Sequence, residues 1–434
     1  ELQPQAACEA TDEALVLRAP QAYLERWLPA AGGLLQEPMF AGAAARAEQA
    51  RTYSPGSLRP ETVRALYGAE LHFSSSRIDV LAGCRFAHFL QYGLRAQERE
   101  PAEFDSRFYG TFVHDVLEHV VQQTEREGGF AAVPRSRVQE LAQERMEQNA
   151  QTLLETFPDS GRTGYLLRRT FDEVTQVVDE LYDELSVSAF RPKFCELEFS
   201  ARGALPGVAF SGKRCRGVVE GFVDRVDVWQ SGGRPYVRVV DYKTGKKSFD
   251  YTNVLHGRGL QMLLYLFALV RQGGHLLHGE PLPAGVLYFP ARIERVSVRD
   301  RLAQAEIEKE RRKQLRRSGV LLNSDPVLEA MEPCGGSPRF LPYALDKEGR
   351  KTGDLASFAQ LAQLERFVFR TVAALGDELA DGHIDPDPCI RDAKDSACAF
   401  CPYSEVCAGH EQPRWLKKIT AEEFWQTLER REHG

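Results

Sequence analysis

Two periodicities of apolar residues divide most of the chain. From residue 73 to about residue 187, apolar side chains recur every three or four positions, which is the spacing of amphipathic helices. The helix predicted over 110–127 has one face that is entirely apolar: Phe112, Val113, Val116, Leu117, Val120 and Val121. Residues 193–243 instead carry short β-branched and aromatic runs separated by glycine-rich turns, which predict strands of one sheet.

The predicted elements define an α/β organisation. The strands of the sheet are expected over 193–200, 217–229 and 235–245. The later elements are a helix over 259–272, a strand over 284–298 and a charged helix over 305–319. The start of the chain carries an Ala/Leu-rich helical segment and a link punctuated by proline and glycine. We therefore divide the chain into an N-terminal segment, 1–70, and a main domain, 71–434.

Composition narrows the class of protein. The 434 residues are 43% hydrophobic and 27% charged, which is typical of soluble globular domains. No run of 18 apolar residues and no basic-then-apolar leader is present, so we expect a cytoplasmic protein without a membrane span. The start at Glu1, without an initiator methionine, favours a piece of a longer protein. The net charge of -7 excludes a uniformly basic surface but allows a local basic groove.

The strand predicted over 235–245 ends in charged residues. Because side chains alternate along a strand, Asp241 and Lys243 share one face and Tyr242 points to the other. A surface ion pair is one interpretation of this pattern. The other is a metal site at the rim of the sheet, since a lone buried charge is costly.

Acids on the other predicted strands favour the metal site. Asp224 lies in the middle of an apolar run, and Glu196 and Glu198 share one face of a third strand. Mg²⁺ prefers such oxygen ligands, together with water and substrate phosphates. Lys243 would then orient the attacking water or help to deprotonate it. We therefore expect phosphodiester hydrolysis that depends on Mg²⁺ or Mn²⁺.

Three segments in order, GFVDRVDVW, VRVVDYKTGKK and GLQMLLYLFAL, resemble the core of RecB-type PD-(D/E)XK nucleases. They contain the GxxDRxD, DYKTG and QxxxY signatures of those enzymes. The resemblance implies a restriction-endonuclease-like mixed central sheet flanked by helices, with large helical insertions. It also implies that Asp224 and Asp241 bind the metal and that Lys243 serves the nucleophilic water. By the same resemblance, Gln261 and Tyr265 shape the pocket on the DNA side.

The resemblance implies further metal-binding residues. The family places a histidine in an early helix, and His114 lies at the edge of the apolar stripe of its helix. His119, in the same helix, lacks the glycine four residues earlier. We also expect Tyr242 to bind the metal. The family also places a glutamate on the strand before the first aspartate, and we favour Glu196 over Glu198.

Three of the nine cysteines, Cys398, Cys401 and Cys407, fall within ten residues. Three thiolates complete neither a tetrahedral zinc site nor a four-thiolate iron-sulfur cluster, and Cys84 is the best candidate for the fourth ligand. This combination resembles the nuclease domain of AddB subunits of bacterial AddAB helicase-nucleases. The resemblance implies a 4Fe-4S cluster that staples distant parts of the chain together. A zinc ribbon with a different fourth ligand is the alternative.

The resemblance to AddB subunits covers about residues 72–412. It implies a Mg²⁺-dependent nuclease that acts on single-stranded DNA in double-strand break repair by recombination. It also implies an AddA-type subunit as the partner in a heterodimer. Two alternatives stay open: a non-catalytic DNA-binding or scaffold subunit with the same fold, and a stand-alone RecB-like nuclease.

Two further motifs could indicate other chemistry. Residues 207–214, GVAFSGKR, contain most of a phosphate-binding P-loop, but Arg214 replaces the required Ser or Thr, so we expect no bound ATP. A basic cluster either follows a DNA backbone or pairs with the glutamates before it. Its members are Arg311, Arg312, Lys313, Arg316 and Arg317.

Overall fold

The computed structural model describes residues 56–97, 106–156, 161–245, 248–293, 304–407 and 413–433. The helical segment predicted near the start of the chain lies outside these ranges. The chain divides into two compact units. The first comprises Glu1–Ala69, Val80–Arg99 and Asp377–Lys418, and the second comprises Glu70–Asp79, Glu100–Gly376 and Ile419–Gly434. The boundary near residue 70 stays a prediction.

A six-stranded mixed sheet organises the second unit. The strands of the described chain are β1 (Leu71–Phe73), β2 (Arg191–Phe199), β3 (Val208–Ser211), β4 (Arg216–Val219), β5 (Gly221–Ser231), β6 (Arg234–Lys243), β7 (Leu282–Pro290), β8 (Ser318–Leu322), β9 (Tyr343–Leu345), β10 (Lys351–Gly353), β11 (Leu355–Ala356), β12 (Cys389–Ile390) and β13 (Arg414–Trp415). The large sheet has the order β11-β8-β7-β6-β5-β2. A three-stranded sheet, β1-β4-β3, and the pair β10-β9 complete this unit, while β12 and β13 pair in the first unit.

Long helices accompany the sheet. The helices of the described chain are α1 (Pro60–Tyr67), α2 (Ser75–Gly83), α3 (Arg85–His88), α4 (Ser106–Arg126), α5 (Arg135–Thr156), α6 (Gly161–Leu185), α7 (Tyr251–Leu255), α8 (Gln261–Gln272), α9 (Gly274–Leu277), α10 (Gln304–Gln314), α11 (Asp325–Met331), α12 (Phe358–Ala380) and α13 (Ala421–His433). A π-helical turn, Phe89–Gly93, follows α3. None of the described helices is long and apolar enough to cross a membrane.

Two helices pack on the strands that carry the predicted site. Helix α4 contacts β2 and β5, and all six residues of its predicted apolar face are buried. Helix α8 contacts β6 and β7 and is buried along most of its length. It connects these two parallel strands, as expected for a β-α-β crossover. Each buried Val, Leu or Phe on these faces contributes roughly 1.5–3 kcal/mol to folding.

The strand predicted over 217–229 is wrong in its first part. The structure divides this range between β4, which pairs with β1 and β3, and β5, which belongs to the large sheet. The break falls at Gly221, whose φ is +154°. A Cβ atom at this position would lie 2.1 Å from the hydroxyl oxygen of Tyr265, so only glycine fits beside that ring.

The apparent P-loop and the basic cluster both have structural explanations. Residues 207–214 form β3 and the turn that leads to the antiparallel strand β4, so no helix follows the apparent P-loop. In the basic cluster, Arg317 is buried and forms ion pairs with Glu180 and Glu184. Arg316 donates hydrogen bonds to the carbonyl oxygens of Leu341 and Tyr343. These two arginines therefore serve the fold and are not available to follow a DNA backbone.

Candidate active site

Strand register brings three predicted acids together. In the antiparallel pair β5–β6, Arg225 lies opposite Val240, and the next residues towards the rim of the sheet are Asp224 and Asp241. In the pair β2–β5, Arg225 lies opposite Cys195, so Glu196 follows alongside Asp224. Three acids from three neighbouring strands thus form a row at one end of the sheet.

Glu196 interrupts the regular geometry of β2. Its φ is +49°, in the left-handed region that non-glycine residues seldom occupy. Such a conformation costs about 1–3 kcal/mol and is concentrated at functional sites. Glu196 lies with His114 and Asp224 in a group whose ligand atoms are all within 4.8 Å of one another. Glu198 instead accepts a hydrogen bond from Ser200, at 2.6 Å.

His114 reaches this row from helix α4. Its Nδ1 lies 3.5 Å from Oδ2 of Asp224, and its Nε2 donates to the carbonyl oxygen of Tyr242 at 2.9 Å. The Tyr242 amide in turn donates to Oδ2 of Asp224 at 2.7 Å. The backbone N–H and C=O groups of Tyr242 therefore both face predicted ligands. The Tyr242 ring packs against the His114 ring in an edge-to-face arrangement.

Lys243 pairs with Asp241, as strand alternation predicts. The ammonium group contacts Oδ2 of Asp241, which is only 5% exposed. The Lys243 side chain is half-buried, and its Nζ lies 5.7 Å from the centre of the Tyr288 ring. The amine is therefore fixed beside the acids but stays accessible from one side.

The carboxyl groups of the row are close together and buried or half-buried, and this raises the pKa values of Asp224 and Glu196. Burial raises the pKa of Asp224 from 3.8 to about 7, and the negative charge of Asp241 makes the next largest contribution. Burial also raises the pKa of Glu196, and the negative charge of Glu118 makes the next largest contribution. Carboxyl groups with raised pKa values beside an imidazole are poorly compensated by their protein surroundings. A divalent cation would supply the missing positive charge.

The donor set fits a divalent metal ion. His114 offers an imidazole nitrogen, and Glu196 and Asp224 offer carboxylates, all within 4.8 Å of one another. Asp241 and the carbonyl group of Tyr242, on β6, lie beside this group. Oxygen-rich sets of this kind suit Mg²⁺ and Mn²⁺, whereas soft metals prefer thiolates. The residues of this site could therefore hold the cation that the sequence predicts.

Asparagine at position 224 is expected to stabilise the metal-free protein at alkaline pH. The pKa of Asp224 is higher in the folded state than in the unfolded state, so ionisation of Asp224 lowers the free energy of unfolding. This loss of stability grows as the pH rises from about 4 to about 7 and is complete above pH 7. We expect Asp224→Asn to raise the free energy of unfolding by about 1–3 kcal/mol at pH 8 and to change it little at pH 4. Urea unfolding with a chelator present measures this difference. An equal effect at both pH values would contradict the argument.

Helix α8 carries the two residues predicted for the DNA side. Gln261 is half-buried at its first position, one turn before Tyr265. The Tyr265 ring stacks on Phe199 with centroids 4.9 Å apart, and its hydroxyl donates to the carbonyl oxygen of Glu220 at 3.4 Å. Burial raises the pKa of Tyr265, and the charges of Asp241 and Asp224 contribute to the rise. The phenol therefore lies near the acids, and it stays protonated.

Sequence reasoning missed one acid near the site. Glu118 follows His114 by one turn of α4, and its charge raises the pKa of Glu196. Its side chain accepts a hydrogen bond from Gln122 at 2.8 Å. The four-residue spacing from His114 was the signal that could have indicated it.

The four predicted cluster ligands lie in the first unit, and none of them forms a disulfide. Burial raises the pKa of Cys84 to about 11, and the charges of Cys407 and Cys401 contribute. The amides of Phe86 and Ala87 donate to this sulfur and oppose the shift. Burial likewise raises the pKa of Cys398, with contributions from Cys401 and Cys407.

The mixed sheet, with acids and a lysine at the ends of adjacent strands and a histidine from a flanking helix, has the arrangement of a PD-(D/E)XK nuclease. A family model described as the PD-(D/E)XK nuclease superfamily matches residues 72–408. The chain belongs to this superfamily, and the predicted fold class is confirmed.

Curated relatives make the relationship more specific. The chain is 34% identical over 357 residues to the B subunit of the ATP-dependent helicase/deoxyribonuclease of Moorella thermoacetica, covering 81% of this chain and 31% of that protein. Proteins of the same name from Caldanaerobacter subterraneus and Oceanobacillus iheyensis are 31% and 28% identical, over 80% and 81% of this chain and 30% and 31% of theirs. The predicted resemblance to AddB subunits is confirmed. The chain spans about a third of the length of these relatives.

Proposed function

We propose that the chain is the nuclease region of an AddB-type subunit and hydrolyses phosphodiester bonds of DNA with the help of Mg²⁺ or Mn²⁺. The observation that carries this proposal is the convergence of His114, Glu196 and Asp224 beside the Asp241–Lys243 ion pair. A group of ligands next to a fixed amine meets the requirements of metal-assisted hydrolysis. In this proposal the nuclease region is 71–434 and residues 1–70 precede it.

Each residue of the site has a part in the reaction. The residues that would hold the cation are His114, Glu196, Asp224, Asp241 and the carbonyl group of Tyr242. The cation would supply Lewis-acid activation of the phosphate and of water. Lys243 orients the attacking water and stabilises negative charge on the phosphoryl oxygens, and Asp241 holds the amine in place. Gln261 and Tyr265 shape the substrate side of the pocket.

The wider role is part of the same proposal. Relatives named as the B subunit of an ATP-dependent helicase/deoxyribonuclease support a second, AddA-type subunit as partner. We propose single-stranded DNA, delivered by the helicase activity of the assembly, as the substrate in recombinational repair. This role requires a cytoplasmic, DNA-associated protein.

The test of the nuclease function uses the 434-residue chain and end-labelled oligonucleotides. We expect cleavage of single-stranded DNA in Mg²⁺ or Mn²⁺ and none in excess chelator. Duplex DNA of the same sequence measures the preference for single strands. A chain that binds the oligonucleotide but cleaves it in neither metal between pH 6 and pH 9 would favour the non-catalytic DNA-binding subunit. A cleavage rate that an added AddA-type subunit does not increase would favour a stand-alone nuclease.

We also propose that Cys84, Cys398, Cys401 and Cys407 hold a structural 4Fe-4S cluster. Besides burial, the charges of Cys401 and Cys407 raise the pKa of both Cys84 and Cys398, so the four thiols lie near one another. Four neighbouring thiols are the usual ligand set of such a cluster, which supports this proposal. Because Cys84 and Cys398 are more than 300 residues apart, a cross-link between them would stabilise the fold by several kcal/mol.

Iron content checks the cluster directly. We expect the anaerobically purified chain to be brown and to contain about four iron atoms per chain. Cys401→Ser is expected to lose most of the iron because one thiolate ligand is removed. Cys334→Ser is the matched control, since Cys334 is exposed and belongs to the second unit, where its thiol donates to the carbonyl oxygen of Gly336. Stoichiometric zinc without iron would contradict the cluster.

A further inference from the structure

A buried ionic network lies on the face of the large sheet opposite the acids. Asp227 accepts hydrogen bonds from Arg225 and from Arg238, both at 2.8 Å. Arg238 also donates to Glu184, which pairs with Arg317. Arg225, Asp227 and Arg238 are completely buried. The network therefore fixes its side chains in place, because each charge depends on its neighbours for compensation.

One contact links this network to the candidate active site. Nη1 of Arg225 donates a hydrogen bond to the hydroxyl oxygen of Tyr242 at 2.9 Å, and both groups are buried. The Tyr242 ring also makes edge contacts with His114 and with Phe289, at centroid distances of 5.8 Å and 5.5 Å. The side chain of Tyr242 is thus held at its tip and along its edges.

The backbone of the same residue faces the other way, into the site. The Tyr242 carbonyl accepts from His114, and the Tyr242 amide donates to Asp224. Strand β6 stays paired with β7 through Lys243, but its pairing with β5 ends at Val240. The backbone groups of Tyr242 that face the β5 side therefore lie beyond the last β5–β6 pair, and a further contact on that side helps to keep their orientation.

We propose that Arg225 and the Tyr242 hydroxyl form a positioning contact that fixes the Tyr242 peptide, and through it His114 and Asp224, in the geometry that receives the cation. The proposal rests on the proposed metal-dependent function and adds Arg225 as a positioning residue. The register of β5 and β6 places the two carboxylates, Asp224 and Asp241, side by side. A preformed anchor opposes their separation in the metal-free protein, so less reorganisation is needed when the cation binds.

Tyr242→Phe tests this contact, because it removes a single hydroxyl group and keeps the ring. We expect the dissociation constant for Mn²⁺, measured by electron paramagnetic resonance without DNA, to increase about 5- to 10-fold, which is the size of a typical net contribution of one hydrogen bond. We also expect the amide of Tyr242 to exchange with deuterium at least fivefold faster in the metal-free protein.

Tyr182→Phe is the matched control. Its hydroxyl donates to the carbonyl oxygen of Val133 at 3.2 Å, away from the acids, so both readouts are expected to match the wild type. A second variant, Arg225→Lys, keeps the positive charge beside Asp227 but lacks the fork that reaches both partners. In the Arg225→Lys background, the additional effect of Tyr242→Phe on Mn²⁺ binding is expected to fall below twofold.

The outcomes separate this proposal from the nuclease function. Wild-type Mn²⁺ affinity and amide exchange in Tyr242→Phe would overturn the positioning contact even if the chain cleaves DNA. Equal changes in Tyr182→Phe would also overturn it, because the effect would then be one of general stability. If the wild-type chain binds no Mn²⁺, the proposed function fails. Deuterium exchange of the metal-free variants then still decides whether Arg225 holds the Tyr242 peptide.

Discussion

Asparagine in place of Asp241 is expected to lower the rate of DNA cleavage by about a thousandfold or more, with the fold retained. The substitution keeps the size of the side chain but removes its charge. The site then loses an anionic ligand and the ion pair that holds Lys243. In the proposed mechanism, both the cation and the amine stabilise charge that develops in the transition state, so their effects on the rate combine. Initial rates at saturating Mn²⁺, with circular dichroism for the fold, measure this loss.

The control for this experiment is another aspartate in the same unit. Asp115 follows His114 in α4 but accepts hydrogen bonds from Arg145 and Asn149. Asp115→Asn removes a charge of the same kind without touching the row of acids, so we expect a cleavage rate within about twofold of the wild type. Metal-dependent cleavage by Asp241→Asn at a rate near that of Asp115→Asn would rule out the proposed site.

Strand alternation was sufficient to predict which faces of β6 the residues of the candidate site occupy. It places Asp241 and Lys243 on one face and the Tyr242 side chain on the other, and the structure has this arrangement. The period of two is a local property of the backbone, so it needs no knowledge of tertiary structure. The apolar stripe of α4 was equally informative, because it fixes which helix face meets the sheet and leaves His114 at its edge.

Alternation could not separate Glu196 from Glu198, because a regular strand presents both on one face. The left-handed conformation at Glu196 breaks that regularity, and no residue type at this position indicates it. Similarly, the polar residues Arg225, Asp227 and Arg238 have the pattern of a solvent-facing strand surface. In the core they depend on helix α6, which supplies Glu184 as a partner for Arg238, a tertiary contact that a local pattern does not contain.

This buried network makes Asp227 the position where a single substitution should most reduce stability. Asp227→Ala leaves Arg225 and Arg238 without their shared carboxylate in a place that water does not reach. Removing one partner of a buried ion pair typically costs 3–5 kcal/mol, because the uncompensated charge stays in the core. We expect Asp227→Ala to lower the free energy of unfolding by about that amount, measured by urea unfolding at pH 7.

Glu184 does not fully replace Asp227, because it is shared between Arg238 and Arg317 and its nearest oxygen lies 4.0 Å from Nη2 of Arg225. Glu184 already compensates Arg317. Burial raises the pKa of Glu184, but the charges of Arg317 and Arg238 outweigh that effect and hold this pKa at about 2. Asp179→Ala is the matched control, because Asp179 pairs with Arg135 at a partly exposed site and is expected to cost no more than about 1 kcal/mol. A loss of stability in Asp227→Ala as small as in this control would mean that water or rearranged side chains compensate the two arginines. The network could not then anchor Tyr242 rigidly.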